Sequence, residues 1–122
     1  SEVPRWLVCV ASVLLLIGYA MYAEVMRENA FLSRTIEVQD GQPLIDTGLY
    51  AVVRHPMYSA TIVMYLAIPL VLGSLWALLL MSFYPFVIVK RIQNEEQLLA
   101  LELSGYSEYQ KRVKYKIIPG IW

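Results

Sequence analysis

Two short clusters hold most of the side chains in this sequence that could act on a bound molecule. The first is Arg54-His55-Pro56-Met57-Tyr58, preceded by Gly48-Leu49-Tyr50, and it carries the only histidine in the chain. The second is Arg91-Ile92-Gln93-Asn94-Glu95-Glu96. A lone histidine is ordinarily structural. An arginine four residues before a glutamate is ordinarily an ion pair on one helical face, worth about 0.3–0.5 kcal/mol. Two adjacent carboxylates are less bland, because they repel unless a cation lies between them and Arg91 meets only part of that demand. A bound cationic ligand would complete such a site. Tyr50, Tyr58, Tyr106 and Tyr109 bracket the two clusters, and tyrosine suits both packing and membrane interfaces.

The elements that position these residues belong in a membrane. Of the 122 residues, 58% are hydrophobic and the mean hydropathy is +0.53, whereas soluble domains run at about 45–50% apolar. The expected class is an all-α membrane protein of one domain, residues 1–122. Zero formal net charge supplies no basic field for nucleic acid. One cysteine, Cys9, permits no internal disulfide, and one cysteine with one histidine makes a metal centre of the usual ligand types improbable. No Gly-x-Gly-x-x-Gly follows a strand, so no dinucleotide-type fold is indicated.

Three uncharged runs, about 6–23, 56–72 and 75–89, are expected as membrane helices. Trp6 and Tyr19-Tyr22 flank the first, and Glu24, Arg27 and Glu28 extend it past the surface for a turn or two. Thr35–Gln39 alternates in polarity before Asp40-Gly41, a hairpin-turn pair. Pro56 suits the first turn of the second span, which kinks or ends near Pro69. Gly73-Ser74 makes the tight turn of a helical hairpin, and Pro85 should bend the third span. That helix continues without a breaker to Gly105, read as its C-terminal cap. Ser107 with Gln110 gives a capping-box start to a short helix from 107 to about 115. Nine of the ten lysines and arginines lie in 24–55 or after Val89, and Arg5 alone lies beyond them. The positive-inside rule then puts both clusters on the cytoplasmic face of a multi-pass protein. The Lys111–Lys116 run reads as a lipid-headgroup contact.

Taken in order, Gly48-x-Tyr50, Arg54-His55-Pro56-x-Tyr58, Arg91-x3-Glu95-Glu96 and Gly105-Tyr106-x2-Tyr109, with Val113 and Pro119, resemble the isoprenylcysteine carboxyl methyltransferase and phospholipid methyltransferase superfamily over roughly residues 45 to 119. The chain differs in having Leu49 where a proline is common, and in carrying fewer upstream spans. The resemblance implies an integral-membrane methyltransferase that uses S-adenosylmethionine and acts on a membrane lipid or a prenylated substrate. It implies cofactor contacts from Tyr50, Arg54, His55, Pro56, Tyr58, Glu95, Tyr106 and Tyr109. Arg91 would hold the methyl acceptor, paired with Glu96, and these two are the expected catalytic residues. A carboxylate acceptor needs only an arginine to orient it, whereas an amine needs a base such as Glu95 or Glu96, and the sequence leaves both open. A catalytically silent, lipid-binding member of the same fold is the alternative. A transporter subunit is disfavoured because no ionisable residue lies within any expected span. Three spans leave room for a homo-oligomer that completes the lipid-facing wall.

Overall fold

The computed structural model describes residues 3–29 and 43–122, and the expected strand and hairpin at 35–41 lie outside them. The described residues are helical: α1 (Arg5–Glu28), a 3₁₀ turn (Gly48–Ala51), α2 (Pro56–Val71), α3 (Leu75–Met81), α4 (Tyr84–Glu102) and α5 (Tyr106–Arg112). The all-α membrane class holds. α1 and the continuous stretch Leu75–Glu102 are each long and apolar enough to cross a membrane, and both are mostly unburied within the protein. α2 is apolar but has only 16 residues, about 24 Å of helix at 1.5 Å per residue.

α1 packs along α2. Its buried positions are Ala11, Gly18 and Val25, one every seven residues, so a single narrow seam faces the protein. The rest of its surface is lipid-like, with Leu16 71% exposed. Small seam residues let two membrane helices approach closely, where water supplies no hydrophobic drive between them. A Cβ on Gly18 would sit 2.7 Å from Met64 Cγ and 3.3 Å from the Ala60 carbonyl oxygen.

α2 begins with Pro56 in its first turn and contains Pro69, two residues before its end. The chain then reverses at Gly73, whose φ of +76° favours glycine. Ser74 Oγ accepts the Ala77 N–H at 3.1 Å and caps α3. The expected disturbance near Pro85 is a short interruption, at which Ser82 and Phe83 keep right-handed helical backbone angles. α3 stops at Met81 and α4 restarts at Tyr84, which puts Pro85 in a first turn where its missing N–H costs nothing. The second correction concerns α5, which starts at Tyr106 behind Gly105 and ends at Arg112. Ser107 therefore lies inside the first turn and is not the cap. Gly105, at φ +84°, stands directly before α5, while Leu103 closes α4.

α4 buries Ile88, Ile92, Glu96 and Leu99, the i, i+4, i+8, i+11 stripe of a helix facing a core. Ile88 and Ile92 pack with Tyr58 of α2, and Leu99 packs with Tyr106, Tyr109 and Val113. One charged residue thus stands in an otherwise apolar stripe.

Candidate functional site between α2 and α4

The site forms where the start of α2 meets the middle of α4. His55 occupies the N-cap of α2, and its carbonyl accepts the Tyr58 and Ser59 N–H groups at 3.1 and 3.2 Å. The side chains of Arg54 and His55 then face Glu96. Arg54 Nε lies 2.7 Å from Glu96 Oε2, and Arg54 Nη2 donates to Oε1 at 3.2 Å. His55 Nε2 is 3.0 Å from Oε2, and Tyr106 donates its O–H to the same oxygen at 3.1 Å. The Nε approach is an ion-pair contact without hydrogen-bond alignment. Glu96 is 8% exposed and His55 5%. A buried carboxylate of this kind persists only when its lone pairs are met by donors, and here three side chains meet them.

A second group lies one turn nearer the apolar part of α4. Arg91 Nε donates to the Tyr58 oxygen at 2.7 Å, and the Tyr58 O–H donates to Glu95 Oε2 at 2.6 Å. The His55 and Tyr58 rings stack at 5.7 Å between centroids, which joins the two groups. The expected pairing of Arg91 with Glu96 is absent from these contacts. Glu96 turns inward to Arg54 and His55, because it lies on the buried stripe and Glu95 does not.

The remaining tyrosines frame the site. Tyr109 donates to the Tyr50 carbonyl at 2.6 Å, and Tyr50 accepts a hydrogen bond from Asn29 at 3.1 Å. Burial raises the Tyr106 phenol well above its ordinary range, and the neighbouring Glu96 charge adds to this. Burial likewise raises Tyr109 and Tyr50. All three stay protonated at neutral pH, and Tyr106 and Tyr109 serve as donors.

Sequence reasoning missed the C-terminal tail. Arg54 N–H donates to the Tyr115 carbonyl at 2.9 Å and His55 N–H to the Lys116 carbonyl at 2.8 Å. Ser59 Oγ donates to the Ile117 carbonyl at 2.6 Å. The tail closes on itself, with Ile117 and Ile118 N–H both 2.9 Å from the Trp122 carbonyl, and the Lys116 ammonium lies 4.5 Å from the Trp122 ring centroid. Ile117 and Trp122 rest on the Tyr58, Ile88 and Ile92 cluster. No spacing pattern foreshadows this, because backbone carbonyls of any residue could have served.

Beside Tyr58 a cleft of 630 Å³ opens between α1, α2 and α4, within the range of small-molecule sites. Tyr22, Tyr58, Tyr65, Tyr84, Met26 and Met57 line it with Thr61, Val87 and Ile88, and Arg91 is the one charged residue among the described lining. The cleft is the second feature missed, since Tyr22, Tyr65 and Tyr84 lie in runs that read simply as membrane helix.

Helices exposed along their apolar length, with a charged cluster at one end, fit a membrane protein. The chain belongs to the isoprenylcysteine carboxyl methyltransferase (ICMT) family, whose profile matches residues 7–101. That match takes in Tyr50 to Glu96 and stops before Tyr106 and Tyr109. The chain is similar to the eukaryotic intramembrane Ras methyltransferase ICMT, with a TM-score of 0.79 at 20% identity, covering 96% of this chain and 43% of that one. It is also 33% identical over 91 residues to the mouse (Mus musculus) Delta(14)-sterol reductase TM7SF2, across 72% of this chain and 22% of the reductase. The chain thus spans less than half the length of either relative.

Proposed function

We propose that this chain carries the methyl-transfer site of an integral-membrane, multi-pass methyltransferase. Its cofactor is S-adenosylmethionine, its acceptor is lipophilic, and its site faces the cytoplasm. The family match supports the reaction class, and the Lys/Arg distribution supports the orientation. The cofactor is cationic at its sulfonium and ammonium, and the residues present suit it. Glu95 offers a half-buried carboxylate beyond the Tyr58 bond, and the rings of Tyr58 and His55 offer π-faces. These three residues, with the backbone at Arg54–Pro56, would hold it. When bound, the cofactor supplies an electrophilic methyl group, and the protein supplies alignment and a dry site.

One observation carries the choice of acceptor: among the described residues that line the cleft, Arg91 is the one charged side chain and none is a carboxylate. Glu96 is occupied by Arg54, His55 and Tyr106, so it orients the N-cap of α2 and is poorly placed to remove a proton. An acceptor that enters as an anion needs no base. Arg91, held through Nε by Tyr58, would orient a carboxylate by charge-assisted bonds. The acceptor read here is therefore an isoprenylcysteine-like carboxylate in preference to an amine headgroup.

The sterol reductase likeness favours a second reading, in which the same scaffold binds a sterol and a hydride donor. Calorimetry in lipid nanodiscs separates the two. S-adenosylhomocysteine should bind, and His55→Ala and Glu95→Ala should each weaken it by roughly tenfold or more, as expected for lost bonds to charged groups. Binding of a reduced nicotinamide in its place supports the reductase reading. Undiminished binding by both variants overturns the site assignment.

A further inference from the structure

We infer that the tail 113–122 is an interfacial anchor whose seat is an anionic bilayer surface, and that this seating fixes the N-cap of α2. Its inner edge is tied to the protein by the carbonyls of Tyr115, Lys116 and Ile117, which accept from Arg54 N–H, His55 N–H and Ser59 Oγ. Its outer edge leaves Tyr115, Ile118 and Ile121 exposed, Ile121 by 75%. Interleaved with them are Lys114 and Lys116, with Lys111 and Arg112 at the end of α5. Among the described residues, Glu108 and Asp46 are the acidic neighbours, paired with Lys111 and Arg112 at 3.6 and 3.1 Å, so the described edge keeps a positive excess.

The height of the tail identifies the surface. Ile117 and Trp122 rest on Ile88 and Ile92, and immediately before Ile88 the lipid-facing side of α4 ends with Phe86 and Val87, 74% and 63% exposed. Lys90 and Arg91 follow. The tail therefore lies level with the boundary between hydrocarbon and headgroups. Aliphatic and tyrosyl side chains alternating with lysines at that height match a bilayer bearing anionic headgroups, in which apolar groups enter and ammonium groups stay with phosphate and carboxylate. Because the tail's carbonyls hold the backbone of Arg54 and His55, lipid charge is coupled to the site's geometry.

The inference rests on the proposed reading only in taking Arg54 and His55 as functional, and its test needs no ligand. Amide hydrogen exchange of residues 54 and 55 is measured in nanodiscs of phosphatidylcholine alone and of phosphatidylcholine with phosphatidylserine. Exchange should be about tenfold slower with the anionic lipid, the scale set by a few lysines near a charged surface. The exposed double variant Lys111→Glu, Lys114→Glu should lose that difference while keeping its α-helical content. Equal exchange in the two lipids overturns the inference, as does an equal lipid effect in the double variant. Failure to bind S-adenosylhomocysteine in both lipids counts against the proposed function and leaves the anchor untouched.

Discussion

Tyr106 and Tyr109 lie one helical turn apart and give their protons to different kinds of acceptor. Tyr106 donates to the Glu96 carboxylate, and Tyr109 to the Tyr50 carbonyl. Both phenols are raised by burial, so the folded chain keeps protons that the unfolded chain releases near pH 10. Above that pH the unfolded state binds fewer protons than the native state, and stability falls as pH rises. The contribution is fully present below about pH 10 and is lost as pH climbs through the raised values. The melting temperature should therefore drop between about pH 10 and 11, and Tyr106→Phe should drop less steeply from a lower starting value. Parallel slopes for the two proteins would show that Tyr106 is not a retained proton. The distinction between the two glutamates was already in the sequence, in the apolar i, i+4, i+8, i+11 stripe of Ile88, Ile92 and Leu99 that Glu96 completes. Spacing from Arg91 alone favours Glu95 and says nothing of Arg54 or His55, which arrive through tertiary packing.

The helices themselves were mostly legible, because uncharged runs in this composition have few other fates. Their ends were less so. Pro85 announced a disturbance, but whether the chain bends or restarts depends on how the residues before it pack. Ser107 looked like a cap because the capping-box pattern is local, whereas burial of Tyr106 and Tyr109 together starts α5 one residue earlier. The α1–α2 seam is the most demanding contact between elements. Gly18→Leu would drive a branched side chain against the Ala60 carbonyl and the Met64 and Val63 side chains. The expected loss is about 1–3 kcal/mol, as for an overpacked core, read as a lower unfolding temperature in detergent. An unchanged midpoint would mean that α1 and α2 separate at little cost. Gly48 is similarly constrained, because φ is +58° and an added Cβ would lie 2.8 Å from Glu28 Oε1. The Thr47 hydroxyl, which donates to Glu28 Oε1, ties the end of α1 to the turn leading into Arg54.

As a whole, the molecule has two ends of different chemistry. Glu28, Gly48, His55 and Glu96 gather at one, where Thr47 Oγ1 donates to Glu28 at 2.7 Å. The hairpin tip, with Gly73 and the 72%-exposed Trp76, lies at the other. If the charged end faces the cytoplasm, a cysteine at Ser74 in a Cys9→Ser background should react with a membrane-impermeant maleimide from the opposite side only. Reaction from the cytoplasm would invert the proposed orientation. The difference between the two ends was legible in the lysines and arginines, while the lateral cleft was not. Cleft walls are made of the same tyrosines and methionines that any membrane helix carries, and only the angle between helices separates them.

The restart at Ser82–Phe83 has a mechanical consequence. α3 buries none of its residues, and the regular helix is interrupted at Ser82–Phe83, so the stretch 75–102 has a local joint between its apolar tip and the half bearing Arg91 and Glu96. Bilayers differ in thickness by several ångströms, and a helix of fixed length answers by tilting. The joint before Pro85 is where α3 and its tip would take up such a tilt. Moving the protein into thicker or thinner lipid should then change the tip's angle while leaving the Tyr58–Arg91 and His55–Glu96 spacings where they are, so that the charged end is indifferent to the thickness of its host membrane.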